Sequence, residues 1–251
     1  MTEQLPLALR LRHAPRLDEF IVGRNAAILA ALAAALDGSG ERLIFLTGPG
    51  GSGRTHLLSG QCAAAEQHGL RCAYLPLHEH RDLDPGLLQD LESLDLVAID
   101  DVDTIAGHGA WEQALFALFN RCQDAGTRLL FSADRGPAAL PLTLPDLRTR
   151  LAWGLTLALV PLDDAGRIDL LQALADRRAL ALPTEVARYL VERGPRHPKV
   201  LAEIIERLDR ASLAQQRRLT VPFVRAQLAG ILMPAGDPGE PAQGSLSDDM
   251  A

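Results

Sequence analysis

Residues 42–58 read Arg-Leu-Ile-Phe-Leu-Thr-Gly-Pro-Gly-Gly-Ser-Gly-Arg-Thr-His-Leu-Leu. Residues 43–46 are an apolar run of buried-strand character, and residues 48–55 follow as G-x-x-x-x-G-R-T. That spacing describes a phosphate-cradling loop with arginine where lysine is usual. Backbone N–H groups must turn inward around a polyphosphate, and side chains at Gly48, Gly50, Gly51 and Gly53 would block the approach. Pro49 and Ser52 complete the loop, and a helix starting near Gly53 aims its N-terminal N–H groups at the same anion. Thr55 supplies a hydroxyl able to ligate Mg²⁺. Lysine is a compact charge, whereas the guanidinium of Arg54 is a planar fork, so nucleotide binding survives the change better than hydrolysis does. The competing reading is a glycine-rich strand-to-helix turn with no ligand.

Working outward, the 251 residues allow one large domain or two small ones, and 47% hydrophobic content is ordinary for a globular protein. A formal charge of −7 argues against a nucleic-acid binder that works by general phosphate neutralisation. The sequence has neither a run of ~18 apolar residues nor a signal-peptide layout, so no membrane role is expected. Cys62, Cys72 and Cys122 are widely spaced and suit small buried hydrophobes in a reducing compartment, with the cytoplasm as the default.

Gln4-Leu5-Pro6-Leu7-Ala8-Leu9 reads as an extended, exposed apolar peptide, because Pro6 disfavours a helix, and exposed leucines call for a partner. The alternative is an N-terminal strand folded onto the domain. Residues 25–36 have helical periodicity, residues 72–77 form a second strand, and residues 78–82 are expected to be a polar loop. His78 and His80 are a weak zinc signal, since no further ligand stands at suitable spacing. A short helix is expected over residues 85–91.

Residues 94–101 run through apolar positions into paired carboxylates, which describes a buried strand whose C-terminal edge faces a ligand. Asp100 would hold Mg²⁺ through water and Asp101 would sit beside the γ-phosphate; otherwise the pair merely caps the next segment. Trp111, Leu115, Leu118, Phe119 and Cys122 are the core face of a helix over 111–125. Strands follow over 128–133, which leads into Asp134, and over 155–160, with a short helix over 146–151 carrying Arg148 and Arg150 between them. Beyond residue 163 only amphipathic helices are expected, over 163–178, 183–193, 198–213 and 221–232. Residues 234–251 lack core signals and read as a disordered tail. The organisation is an N-terminal extension (1–18), a parallel α/β sheet domain (19–161), a small all-α lid (162–233) and the tail.

Assembled, the chain resembles the AAA+ ATPases of the DnaA initiator group over about residues 4–232, and within that group the Hda-type regulators. The matching features are the Gln4–Leu9 segment, similar to sliding-clamp-binding peptides, the arginine-containing Walker A loop, and residues 97–103 as Walker B. Residues 132–135 match the sensor 1 region, 146–154 the arginine-finger box, and 208–212 with 219–224 the lid. The resemblance implies a negative regulator of DNA replication initiation. Such a protein binds ADP or ATP with Mg²⁺, docks on the DNA polymerase III sliding clamp (beta subunit), and stimulates hydrolysis of DnaA-bound ATP. DNA is reached indirectly through the clamp, and homo-oligomerisation is left open. By position Arg150 matches the finger arginine acting in trans, and Lys199 the sensor 2 arginine, one point charge replacing a fork. Asp101 stands where many AAA+ proteins have glutamate and reaches a water less well, so weak or absent intrinsic ATPase activity is implied.

Three rivals stand beside this reading. An initiator proper would carry a helix-turn-helix domain after the lid, and residues 234–251 are too few and too acidic for one. A helicase loader or free-standing AAA+ ATPase has no evident use for a clamp peptide. An interaction module with a vestigial site would retain no nucleotide through purification.

Overall fold

Side-chain alternation explains why apolar runs become central strands buried on both faces. The computed structural model describes residues 16–229 except residue 81; the Gln4–Leu9 peptide and residues 234–251 lie outside the described residues. Five parallel strands form one sheet: β1 Leu43–Thr47, β2 Cys72–Pro76, β3 Leu96–Asp100, β4 Arg128–Ala133 and β5 Leu155–Ala158. Their spatial order is β2-β3-β4-β1-β5. Phe45, Val97, Ile99, Leu129 and Phe131 belong to one core, while Ile44, Leu46, Leu96, Ala98 and Leu130 belong to another. Successive residues point to opposite faces, so a strand covered on both sides must be apolar throughout.

The flanking helices in chain order are α1 Ala26–Asp37, α2 Arg54–Gln67, α3 Leu77–His80, α4 Gly109–Ala125 and α5 Pro145–Leu151. Ile28 and Leu32 of α1 join Leu57 and Leu58 of α2 in covering the Ile44 face. Leu115, Leu118 and Phe119 of α4 join Leu147 and Leu151 of α5 in covering the Phe45 face. Two local expectations change. Residues 78–80 are the short helix α3 and not part of a polar loop, because Leu77 and His80 are buried and His80 Nδ1 meets Pro76 O at 2.9 Å. The helix expected over 85–91 is only a 3-10 turn, Pro85–Leu88, capped by Asp84.

The chain divides into two compact units between Gly166 and Arg167, a point that α6 (Asp164–Asp176) runs across. Asp163 Oδ1 accepts from the Gly166 N–H at 2.9 Å and so caps the start of α6. In the second unit α7 Thr184–Arg193, α8 Pro198–Gln215 and α9 Val221–Gln227 pack around Leu190, Leu201, Ile205, Leu208 and Phe223. Helix α9 stops short of residue 232: Leu228 leaves helical backbone while burying its side chain in the same core.

Glu112 fixes the approach to α5. It lies on the apolar stripe of α4, fully buried. Its carboxylate accepts from the backbone N–H groups of Gly107 (2.7 Å), Thr143 (3.1 Å) and Leu144 (2.7 Å), and from the Thr143 hydroxyl (2.8 Å). Burial pushes its pKa up, but the hydrogen bonds from Thr143, Leu144 and Gly107 outweigh burial and leave the acid below its ordinary value. A lowered folded pKa stabilises the protein above the unfolded value and loses that contribution as pH falls through the folded one. Glu112→Ala strands these donors and is expected to destabilise by roughly 3–5 kcal/mol, on the order of 10 °C in Tm. The parent's Tm should fall as the pH drops below the ordinary glutamate range while that of Glu112→Ala falls less; equal acid sensitivity in thermal melts would remove Glu112 from this role.

Candidate nucleotide-binding site

Parallel strands deliver their C-terminal ends to one edge of the sheet, and β1, β3 and β4 place there the glycine-rich loop, Asp100–Asp101 and Asp134. The loop 48–53 turns from β1 into α2, with Ser52 N–H donating to Pro49 O at 3.1 Å. Gly53 sits in left-handed backbone at φ 104°, and a Cβ there would come within 2.6 Å of the Phe20 ring. Only glycine satisfies both conditions. A Cβ on Gly50 would meet nothing within 4 Å, so the loop's outer face is open.

Ser132 of β4 stands between the loop strand and the acidic strand, donating to Asp100 Oδ1 and accepting from Asp101 N–H at 3.1 Å. Asp100 is fully buried, and its Oδ2 accepts from Tyr74 OH at 2.8 Å. The two hydroxyls fix the plane of the carboxylate. In return, burial and the charge of Asp100 push the Tyr74 phenol far above its ordinary pKa, so it stays a donor.

Asp101 sits in left-handed backbone at φ 57°. Its Oδ1 lies 2.8 Å from Arg54 Nη2, and its Oδ2 lies 3.0 Å from His78 Nδ1. Burial, then the charge of Asp100, raises its pKa against the pull of Arg54. Arg54, the first residue of α2, also donates through Nη1 to the Gly48 carbonyl. Thr55 follows, exposed. Asp134 is held by Arg135 through 2.8 Å and 2.7 Å contacts, and the guanidinium keeps its carboxyl below the ordinary range.

A polyphosphate fits the residues present. Ser52 Oγ and Arg54 Nε are buried without a hydrogen-bond partner among the described residues, and the 14-residue α2 points its N-terminus at the open loop. Among the described residues no group of three or more His, Cys, Asp or Glu is placed to hold a metal ion unaided. A divalent cation would therefore need ligands from the nucleotide as well as from Thr55 and Asp100.

Residues 11–158 match the family described as the bacterial DnaA ATPase domain, well over half of the chain. The chain belongs to that family. Residues 164–228 match the lid domain of Hda. Together the two matches describe a DnaA-related replication regulator of the AAA+ class. Domain III of the Thermotoga maritima initiator DnaA superposes with a TM-score of 0.77 at 23% identity, covering 89% of this chain and 99% of that one. AMPPCP-bound DnaA from Aquifex aeolicus gives 0.67 at 25%, covering 81% and 67%. The Thermotoga maritima RuvB branch-migration motor gives 0.67 at 19%, covering 85% and 71%, a likeness of fold.

Two further residues picked out by the DnaA-group resemblance lie on other elements. Arg150, in the last turn of α5, places its guanidinium 3.9 Å from the centroid of the Trp153 ring, and Trp153 packs edge-on against Phe119 at 6.2 Å. No carboxylate among the described residues pairs with Arg150 or Arg148. Lys199 belongs to the second unit, where its N–H donates to His197 Nδ1 at the start of α8.

Sequence reasoning missed the residues that hold the acids. Tyr74 gives no local signal, His78 reads only as a weak zinc ligand and Ser132 only as part of the sensor 1 match, because each meets its partner across neighbouring strands or loops. Glu112 did leave a trace: a carboxylate three residues before Leu115 and seven before Phe119 falls on the core face of its helix. Asn25 is another, its Nδ2 and Oδ1 both pairing with the Val160 backbone at 2.9 Å.

Proposed function

We propose that this protein is a negative regulator of replication initiation that binds ADP or ATP, docks on the DNA-loaded sliding clamp, and stimulates hydrolysis of DnaA-bound ATP. The observation that carries the reading is Arg150: an arginine at the end of α5, paired with no described carboxylate and presented on an exposed aromatic. A guanidinium so placed is available to a phosphoryl group on a neighbouring molecule, where it would stabilise developing charge. The Hda lid match supports the regulator over the initiator. Gly48, Pro49, Gly50, Gly51, Ser52, Gly53 and Thr55 would cradle the nucleotide's phosphates and Arg54 would join them where its pair with Asp101 opens, with Asp100 and Thr55 toward Mg²⁺ and Asp134 and Lys199 as sensors of the bound state. Bound Mg²⁺ would neutralise phosphate charge and orient the oxygens. Gln4, Leu5, Pro6, Leu7, Ala8 and Leu9 would engage the clamp.

The test is hydrolysis of ATP preloaded on DnaA, with this protein, clamp and DNA supplied together and each omitted in turn. Conversion to ADP should accelerate only in the full mixture; a rate indifferent to this protein overturns the proposal. A free-standing ATPase is disfavoured because both oxygens of Asp101 are engaged, by Arg54 and by His78. The isolated protein should turn over ATP well below roughly 1 s⁻¹, against a median near 10 s⁻¹ for enzymes. Phosphate-release kinetics at saturating ATP check this, and turnover at an ordinary enzyme rate would restore the ATPase reading.

A further inference from the structure

The loop's cation, Arg54, is paired within the protein. Arg54 spans from the Gly48 carbonyl to Asp101, with the two side chains only 11% and 18% exposed, and His78 occupies the other oxygen of Asp101. A fork that bridges a carbonyl and a carboxylate has one N–H of each Nη committed, and its Nε is buried without a partner among the described residues. A carboxylate shared by guanidinium and imidazole is equally uncommitted to water.

We infer that Arg54, Asp101 and His78 form a latch that withholds the loop's cation from bound phosphates, so that a triphosphate gains Arg54 only by breaking the pair with Asp101. The inference rests on the nucleotide-site reading above. In the latched state the anion is held by backbone N–H groups, the α2 terminus and the Ser52 hydroxyl. The departures at residues 54 and 101 are then one device: lysine could not bridge both acceptors as a fork does, and Asp101 in left-handed backbone brings its short side chain back onto Arg54.

The decisive measurement is affinity for ADP and for a non-hydrolysable triphosphate analogue, across the parent, Arg54→Ala, Asp101→Asn and the double variant. Asparagine tolerates left-handed backbone, so Asp101→Asn preserves the local conformation; thermal melts verify folding. Freed from its carboxylate, Arg54 should tighten triphosphate binding about tenfold in Asp101→Asn. Arg54→Ala leaves the Asp101 carboxylate with His78 but without its cation and should weaken it. In the double variant neither charge remains, and affinity should return to within about twofold of the parent, since the latched pair presents no net charge. If the double variant binds the triphosphate tenfold or more weakly than the parent, Arg54 is already a phosphate ligand and the latch is wrong. An unchanged affinity in Asp101→Asn overturns it as well. Should that variant not fold, Arg54→Lys carries the same expectation of tighter triphosphate binding, with no change counting against the latch. If neither the parent nor any variant binds either nucleotide, the nucleotide-site reading itself falls and the latch with it.

Discussion

Arg150→Ala is expected to abolish the stimulation of DnaA-bound ATP hydrolysis while leaving fold, nucleotide binding and clamp binding intact. A guanidinium supplied to a neighbour's phosphoryl group can accelerate transfer by about 10³–10⁵, so its loss should return the rate to that of DnaA alone. The structural cost of the substitution is small. Arg150 is half-buried, and its contact with Trp153, itself 58% exposed, is a surface cation–π interaction worth about 0.5–1 kcal/mol. Arg148 is the internal control. Two residues apart on α5, the side chains point about 200° around the helix from one another, so Arg148→Ala should retain most of the stimulation. Single-turnover hydrolysis with DnaA, clamp and DNA distinguishes the cases. Loss in Arg148→Ala but not Arg150→Ala would move the finger to the other helical face; indifference to both would remove the trans-arginine mechanism.

Removal of residues 1–9 should abolish association with the sliding clamp. Leu5, Leu7 and Leu9 carry the apolar area and Gln4 the hydrogen bonds. Each leucine that is fully buried contributes roughly 1.5–3 kcal/mol before the loss of freedom on ordering. Losing three such anchors weakens binding by at least about fortyfold even when half of that gain is spent on ordering the peptide. The described core draws on residues from Leu17 onward, so Tm and ADP affinity should not change. Surface-immobilised clamp measures this directly: a truncated chain that binds as well as the parent would show that the peptide is not the docking element.

Much of the candidate site's geometry was legible because a loop suited to phosphate depends on backbone geometry, which glycine spacing encodes locally. Gly53 shows the link: its left-handed φ and its contact with Phe20 both require the absence of a Cβ. The paired carboxylates at the end of an apolar run were legible for a related reason, since a buried strand tolerates charge only at its edge. Their chemistry was not. Asp101 read as a residue beside the γ-phosphate; its contacts with Arg54, 47 positions earlier, and with His78 from α3 were not legible. No local pattern announces such pairings.

The sequence by itself determined the architecture: apolar runs long enough for strands, amphipathic stretches long enough for helices, and a change after residue 163 from alternation to helices alone. These follow from periodicity, because a side chain's face depends on its own strand or helix. Tertiary structure alone decided the electrostatic state of the site. Inserting β4 between β1 and β3 sets Ser132 against Asp100, and the turn of Asp101 into left-handed backbone brings it to Arg54 and His78. Charges interact through distance in space, and only the completed sheet brings residues so far apart in the chain within 3 Å of one another.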